Sequence, residues 1–250
     1  MSIEHIVTEA RGPVLRVAMN RPEKKNALTL AMYDGLCAAF ARAAADDAIR
    51  VLLITGAPGA FTAGNDIGDF MKSPPSGEGS PVMRFLQALV GFEKPIVAAV
   101  DGPAVGLGTT MLLHCDLVVA SDRARFTLPF TKLGLVPEAA SSLLLPALAG
   151  RQRASMWLLL GKPFGADEAR EAGLVNRVVP AAELDQAADA LAAELAAMPA
   201  TAVRLTKRLI RQGQADAVAA AMAREGALFV ERLAAPETME AMVAFMSKRG

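Results

Sequence analysis

Cysteine, histidine and aromatic residues are scarce in this sequence, and each shortage excludes a class of protein. The two cysteines, Cys37 and Cys115, cannot form a disulfide framework, and we assign neither of them a chemical role. His114 and Asp116 flank Cys115, but we predict a strand there, on which adjacent side chains point to opposite faces. With only two histidines in the chain, no second group of ligands is present. We therefore expect no bound metal.

Long apolar runs and an excess of either charge are also missing. Lys and Arg together number 26, as do Asp and Glu, so no net charge attracts nucleic acid or an anionic membrane. Apolar runs such as 51–55 and 95–100 are far shorter than the roughly 18 residues that cross a bilayer. Neither end of the chain carries a targeting pattern. We expect a cytoplasmic globular protein that acts on a small molecule, without nucleic-acid or membrane partners.

Strand and helix patterns alternate over the first half of the chain. The strand patterns 5–9 and 14–19 flank Arg11-Gly12-Pro13, which predicts a hairpin. Thr29 is a plausible N-cap for a helix that ends near Asp46. The elements that follow are predicted as a strand at 50–55, a helix at 82–92, a strand at 95–100, a glycine-containing turn, a helix from Leu107 and a strand at 116–120. This alternation predicts an α/β fold with parallel strand pairing.

The last third of the chain is predicted to be helical. Beyond Pro137 the only expected interruption is 174–179, and amphipathic spacing predicts helices at 181–198, 201–212, 215–233 and 236–248. Their apolar stripes favour symmetric association of subunits. Residues 72–80 are rich in Pro, Gly and Ser and predict a mobile surface loop.

Two glycine-rich turns follow buried strands, at 56–66 and 101–108. The first has no Gly-Lys-Ser/Thr ending, and the second has Met111 where a dinucleotide fingerprint needs its third glycine, so neither is a nucleotide loop. Taken alone, each turn fits strand-to-helix geometry that needs glycine. Backbone N–H groups that face a ligand are the alternative interpretation.

Four motifs together resemble the crotonase (enoyl-CoA hydratase/isomerase) superfamily over nearly the whole chain. They are NRPEKKNAL at 20–28, FTAGNDI at 61–67, KPIVAAVDGPAVG at 94–106 and ADEAREAGLV at 166–175. The resemblance implies a crotonase-like spiral of ββα repeats over 1–195 and a helical trimerisation region over 196–250. It further implies an acyl-CoA substrate, no cofactor other than the coenzyme A of that thioester, and a homotrimer or a dimer of trimers.

The resemblance also assigns binding residues. The backbone N–H groups of Asn65 and Leu107 match the oxyanion hole for the thioester carbonyl, where aligned N–H groups stabilise a developing negative charge. The residues implied to contact coenzyme A are Lys24, Lys25 and Ala63, with Phe245 and Lys248 contributed by a neighbouring subunit. For the lysines, a solvated surface position is the alternative.

Glu138 is the candidate catalytic residue. The two glutamates of hydratases fall at Thr110 and Phe130 here, so efficient hydration is not expected. Glu138 matches the base of the Δ3,Δ2-enoyl-CoA isomerase branch, and Ala139-Ala140 replace common glycines, which we expect to narrow the acyl pocket. Without the resemblance, Glu138 would be an acidic residue in the first turn of a helix begun by Pro137. Apolar surroundings raise its pKa and a helix N-terminus lowers it, and this balance stays open.

The resemblance thus implies an isomerase of fatty acid metabolism that moves a double bond from C3 to C2 through an enolate. A hydratase or other crotonase-type reaction, and a non-catalytic CoA-binding protein, are the alternatives. Asp69 and Glu93 are the next candidates for the base if Glu138 is not. Asp66 is expected to cap a helix, and Ser141 and its neighbour have no nucleophile-elbow motif that would indicate a hydrolase.

Overall fold

The structure, a computed structural model, describes residues 2–247 except residues 4, 73–76 and 78. The strands of this part of the chain are β1 (Ser2–Ile3), β2 (Ile6–Arg11), β3 (Val14–Met19), β4 (Val51–Gly56), β5 (Ile96–Val100), β6 (Pro103–Val105), β7 (Leu117–Ser121), β8 (Arg125–Thr127), β9 (Phe164–Gly165) and β10 (Arg177–Val179). Its α-helices are α1 (Leu30–Ala45), α2 (Ile67–Lys72), α3 (Pro81–Gly91), α4 (Leu107–Thr110), α5 (Ser141–Ala149), α6 (Arg151–Leu160), α7 (Ala166–Glu171), α8 (Leu184–Ala197), α9 (Ala200–Gln212), α10 (Ala215–Leu233) and α11 (Pro236–Ser247). Short 3₁₀ helices lie at Pro22–Lys24, Met111–His114, Thr131–Leu133 and Ala181–Glu183.

The larger sheet has seven strands in the order β1-β2-β3-β4-β5-β7-β10. β2 and β3 form the predicted antiparallel hairpin, with Ile6 opposite Met19 and Arg11 opposite Val14. From β3 to β10 every neighbouring pair is parallel. The prediction of parallel pairing from alternating strands and helices is therefore confirmed.

The smaller sheet consists of β6, β8 and β9, with β6 parallel to β8 and β9 antiparallel to it. β5 leads into β6 and then α4, and β7 leads into β8, so the chain visits the two sheets in turn. A parallel bridge between Thr62 and Ala104 attaches the stretch after β4 to β6 in the same way. The ββα repeats and the helical C-terminal region agree with the predicted fold.

The three short strands of the smaller sheet were not predicted. β6 lies in the segment expected to be a glycine-containing turn, and β9 is a second interruption of the helical region after Pro137. β6, β8 and β9 have only two or three residues each, so no alternation of side chains is visible in the sequence.

The segment after Pro137 also differs from the prediction, because no helix begins there. α5 starts at Ser141, after Ala139 and Ala140, which have φ of 58° and 56°. Of the predicted loop 72–80, residues 73–76 and 78 lie outside the described residues. Lys72 is the last residue of α2, and the Ser80 side chain caps α3.

The strands at the centre of the larger sheet are buried on both faces. Leu52 and Ile54 of β4 pack in the main core with α1 and α3, whereas Leu53 belongs to a second cluster that includes α8. α8 presents Ala188, Ala192 and Ala196 to the sheet, one turn apart, so its backbone lies close to the strands. Because both faces are covered, the strands read as continuous apolar runs.

α9, α10 and α11 form the rest of the C-terminal region. In the described part of the chain no helix is long and apolar enough to cross a membrane. The division of the chain after residue 195 and its assembly into trimers stay predictions.

Gly12 and Gly102 have similar backbone conformations but different surroundings. Substitutions at these two positions therefore distinguish the effect of a steric clash from the effect of the backbone conformation. Gly12 and Gly102 have φ of 57° and 60°, but a Cβ at Gly102 would lie 2.2 Å from the Gly59 carbonyl oxygen, whereas one at Gly12 meets nothing within 4 Å. We expect Gly12→Ala to lower the free energy of unfolding by about 1–2 kcal/mol. Gly102→Ala should cost about 1–3 kcal/mol more, because the backbone must move. Urea titration measures both, and equal losses would contradict the close approach.

Candidate active site

The two glycine-rich turns lie against each other. Thr62 N–H donates to the Pro103 carbonyl and Val105 N–H to the Thr62 carbonyl, both at 3.0 Å. A Cβ at Gly64 would lie 2.7 Å from the Val105 carbonyl oxygen, so only glycine allows this approach. The residues after each contact, Asn65 and Leu107, are thereby brought to the same place.

The backbone N–H groups of Asn65 and Leu107 are available to a ligand. Leu28 forms a β-bridge with Asn65: the Leu28 N–H donates to the Gly64 carbonyl, and the Leu28 carbonyl accepts from the Asp66 N–H. The N–H of Asn65 itself takes no part in this bridge. Leu107 is the first residue of α4, where an N–H has no acceptor within the helix. Over the described residues neither N–H has a hydrogen-bond acceptor. Two unpaired donors on adjacent turns suit an oxyanion.

The Asn65 side chain is held from α1. The Tyr33 hydroxyl donates a hydrogen bond to Asn65 Oδ1. Burial raises the pKa of Tyr33 well above its usual value, and the charge of Glu138 adds to this rise. Tyr33 therefore stays protonated and keeps its donor role. Nothing in the local sequence pattern predicted this contact.

Asp66 caps α2 as predicted, since its Oδ1 accepts from the Asp69 N–H at 3.1 Å. Burial raises the pKa of Asp66, but the hydrogen bond from Arg21 and those from backbone N–H groups outweigh it, so the pKa lies below its usual value. Asp69, an alternative candidate for the base, accepts from the Leu30 N–H at 2.8 Å at the start of α1. The other alternative, Glu93, is exposed and lines a different cleft from Glu138.

Glu138 is buried, with 7% of its surface exposed, although it lies in an irregular segment before α5. Thr110 Oγ1 donates to Glu138 Oε1 at 3.5 Å. Thr110 is one turn after Leu107 on α4, so α4 connects the carboxyl group with the oxyanion turn. Thr110, which stands at a hydratase glutamate position, thus contacts the Glu138 carboxyl group without supplying an acidic group itself. Phe130, the other hydratase position, is a buried member of the core.

The balance of effects on Glu138 favours its neutral form. Burial, and after it the negative charge of Glu225, raise the pKa of Glu138, the hydrogen bond from Thr110 lowers it, and the resulting pKa is about 8. The alternative of an acidic residue in the first turn of a helix begun by Pro137 is wrong, because α5 begins three residues after Glu138. A helix N-terminus therefore does not lower the pKa as one interpretation had it.

An apolar cleft of about 430 Å³ opens beside Glu138 between α2, α3 and α10. Its side chains include Phe70, Val82, Met83, Leu86, Met222 and Phe229. Ala139 also lines the cleft, whereas Ala140 does not. A larger cleft of about 790 Å³ lies between α3 and α9, and Glu93 is the one candidate residue among those described that lines it.

The lysines predicted to contact coenzyme A sit at the edge of the oxyanion turn. Lys24 and Lys25 are exposed, and the Lys25 carbonyl accepts from the Ala63 N–H at 2.9 Å. Asn26, buried next to them, donates to the Ala60 carbonyl at 2.7 Å and so ties this loop to the turn. The structure therefore brings Lys25 and Ala63 together beside Asn65.

The two C-terminal residues are not brought to this place by the described contacts. Phe245 lies on α11, which contacts the 3₁₀ helix at Thr131–Leu133 and α10. Lys248 lies outside the described residues. Their contribution to a neighbouring subunit stays a prediction.

His114 has a structural role that the sequence did not indicate. It lies at the end of a 3₁₀ helix, not on a strand as predicted, and its Nε2 is 2.8 Å from the Ala139 carbonyl oxygen. Burial lowers the pKa of His114 to about 4, so it is neutral and Nε2–H donates this bond. Among the described residues no three ligands are grouped for a metal ion.

Comparison with known proteins identifies relatives that act on CoA thioesters. The chain matches the sequence profile of the enoyl-CoA hydratase/isomerase family over residues 9–250. Enoyl-CoA delta isomerase 2 of Rattus norvegicus is 34% identical over 98% of this chain, which spans 64% of that protein. 4-Chlorobenzoyl coenzyme A dehalogenase-2 of an Arthrobacter species is 33% identical, with 99% and 92% covered. The structure of OdaA from Pseudomonas aeruginosa superposes with a TM-score of 0.95 at 45% identity, covering 97% of this chain and 99% of that one.

The raised pKa of Glu138 predicts a pH-dependent cost in stability. Between its usual pKa of 4.5 and about 8 the folded protein holds a proton that the unfolded chain releases. The free energy of unfolding should therefore fall with rising pH in this window, by up to about 1.4 kcal/mol per pH unit. Glu138→Gln removes this dependence, so its stability relative to wild type should grow from pH 5 to pH 8. Urea titrations that give a constant difference would contradict the burial of a neutral acid.

Proposed function

Because the chain belongs to the enoyl-CoA hydratase/isomerase family, we propose that it converts 3-enoyl-CoA to 2-trans-enoyl-CoA, with Glu138 as the group that moves the proton. One observation supports this choice of reaction within the family. Glu138 is a buried carboxyl group that Thr110 connects to α4, the helix that begins at the Leu107 donor, and the two hydratase positions hold Thr110 and Phe130. A single carboxyl group is sufficient for a proton shuttle, whereas activation of water in this family uses two.

The geometry supports the following steps. The thioester oxygen accepts from the N–H groups of Asn65 and Leu107, and the acyl chain enters the apolar cleft. Glu138, as the carboxylate, takes a proton from C2, and the electron pair of that C–H bond delocalises into a dienolate whose oxygen gains negative charge. The aligned donors stabilise this oxygen more in the transition state than in the substrate. The carboxylic acid then returns the proton to C4.

Hydration is the main competing activity, and among the described residues Glu225 is the other carboxyl group that lines the cleft. Its two oxygens accept from the N–H groups of Ala140 and Ser142 at 2.7 and 2.8 Å, so both are already engaged by backbone donors. Incubation with 3-trans-hexenoyl-CoA and with crotonyl-CoA separates the possibilities. Formation of 2-enoyl product supports the proposal. A 3-hydroxyacyl product indicates a hydratase, and binding without turnover indicates a CoA-binding protein.

We also propose that the chain assembles as a homotrimer or a dimer of trimers. Leu209 and Ile210 on α9 are 70% and 76% exposed in the single chain. Burial of such side chains is favoured when subunits associate.

Replacement of the proposed base tests the mechanism directly. Glu138→Gln keeps the shape of the side chain but cannot accept the C2 proton, so kcat should fall by about 10²–10⁴-fold. Affinity for hexanoyl-CoA should change little, since the N–H groups of Asn65 and Leu107 remain. Steady-state kinetics and calorimetric titration measure the two quantities.

Phe130→Leu is the control, because it changes a buried core residue at a hydratase position without removing an acid. It should cost about 1 kcal/mol of stability and less than about tenfold in kcat. If Glu138→Gln kept more than about a tenth of wild-type turnover, its loss would fall below the range expected for a general base.

A glycine inside α10 predicts the preferred chain length. Gly226 lines the cleft, and the nearest atom to a Cβ there is Met83 Cε at 3.9 Å, so a side chain would extend into free space. Glycine within a helix costs about 1 kcal/mol relative to alanine, so Gly226→Ala should raise stability. Gly226→Leu should lower kcat/KM for 3-dodecenoyl-CoA at least about tenfold, because displacing two methylenes costs about 1.6 kcal/mol.

Turnover of 3-hexenoyl-CoA by Gly226→Leu should stay within about threefold of wild type, since the shorter chain needs less of the cleft. Kinetics with both substrates measure the selectivity. An equal loss for both chain lengths would show that the acyl chain lies elsewhere.

A further inference from the structure

We propose that Glu225 on α10 is a positioning residue for Glu138: it holds the turn that follows the base and places a fixed negative charge beside it. This inference rests on the proposed function of Glu138. Glu225 is far from Glu138 in the sequence, and it belongs to none of the motifs shared with the family.

The contacts of Glu225 are directed at one turn. Its Oε2 accepts from the Ala140 N–H at 2.7 Å and its Oε1 from the Ser142 N–H at 2.8 Å. With 6% of its surface exposed, the carboxyl group is buried. Both N–H groups belong to the start of α5, where a negative charge is stabilised by the helix dipole. Both oxygens of Glu225 therefore act as hydrogen-bond acceptors for this turn.

The turn held by Glu225 is strained. Ala139 and Ala140 have φ of 58° and 56°, a left-handed conformation that is unfavourable for residues other than glycine. Such strain persists only where the surroundings fix it. Here His114 holds the Ala139 carbonyl, Glu225 holds the two N–H groups, and Ser141 Oγ donates to the Glu138 carbonyl at 2.6 Å. Loss of Glu225 therefore allows the backbone next to the base to relax.

The groups that face Glu138 in the described chain set its charge. Tyr33 from α1 is protonated, His114 is neutral, and Thr110 from α4 donates a long hydrogen bond. Burial raises the pKa of Glu138, and the charge of Glu225 from α10 adds to this rise. A carboxylate with a higher proton affinity is a stronger base for a weakly acidic C–H group. The charge of Glu225 thus makes Glu138 a stronger base.

The full-length Glu225→Gln variant tests this inference through the pH dependence of kcat/KM for 3-trans-hexenoyl-CoA. A base works when deprotonated, so wild-type kcat/KM should rise with pH to a midpoint near 8, the pKa of Glu138. Without the charge of Glu225 that midpoint should move down by about one pH unit. We also expect kcat to fall about tenfold at high pH while KM changes less than about twofold, because the oxyanion donors are intact.

Two further variants separate charge from structure. Glu168→Gln removes a carboxylate whose Oε1 accepts from Trp157 Nε1 at 3.1 Å, away from this cleft, and should leave the midpoint unchanged. Ala140→Gly relieves the strain and, added to Glu225→Gln, should recover at least about threefold in kcat without restoring the midpoint. An unchanged midpoint in Glu225→Gln would overturn the inference, whatever the loss in kcat.

A readout that needs no turnover distinguishes this inference from the proposed function. Infrared titration of the Glu138 carboxyl group in Glu225→Gln should show the same downward shift, even if wild type fails to isomerise 3-enoyl-CoA. An isomerase with an unshifted titration overturns the role of Glu225 alone. An inactive wild type with a shifted titration overturns the proposed reaction alone.

Discussion

Removal of the Glu138 carboxyl group from water is the constraint on which the rest of the site depends. In water this group would be an anion at neutral pH and a weak base, whereas burial, together with the charge of Glu225, raises its pKa to about 8. The surroundings that cause this are apolar side chains of α2, α3 and α10, which also form the walls of the cleft. The same packing therefore strengthens the base and excludes water that would quench an enolate.

The fold supplies the oxyanion donors by a different route. Parallel strands β4 and β5 end at the same edge of the larger sheet, and their following segments enter the smaller sheet side by side, where Thr62 pairs with Ala104. Each segment then presents one unpaired N–H group. The N–H of Asn65 takes no part in the bridge to Leu28, and the N–H of Leu107 belongs to the first residue of a helix. The donors are backbone groups, so their position depends on the glycines at the contact more than on the side chains of Asn65 and Leu107.

Local signals in the sequence predicted local structure well. The Thr29 cap, the hairpin at Gly12 and the cap at Asp66 depend on neighbouring residues and agree with the structure. The contacts around Glu138 were not predictable in this way, because they come from segments far apart in the chain. Glu225 is 85 residues from Ala140, and its contact leaves no periodic pattern in either segment. The irregular backbone after Pro137, where a helix was one expectation, depends on these distant contacts.

Infrared spectroscopy of the wild-type protein, carrying ¹³C-labelled glutamate, tests the central claim most directly. The C=O stretch of a protonated carboxylic acid should be present in the ligand-free protein at pH 6, disappear with a midpoint near pH 8, and be absent from Glu138→Gln. This result would show that the proposed base is a buried acid with a raised proton affinity. A Glu138 signal that titrates near its usual value of 4.5 would contradict the account, because the carboxyl group would then be solvated.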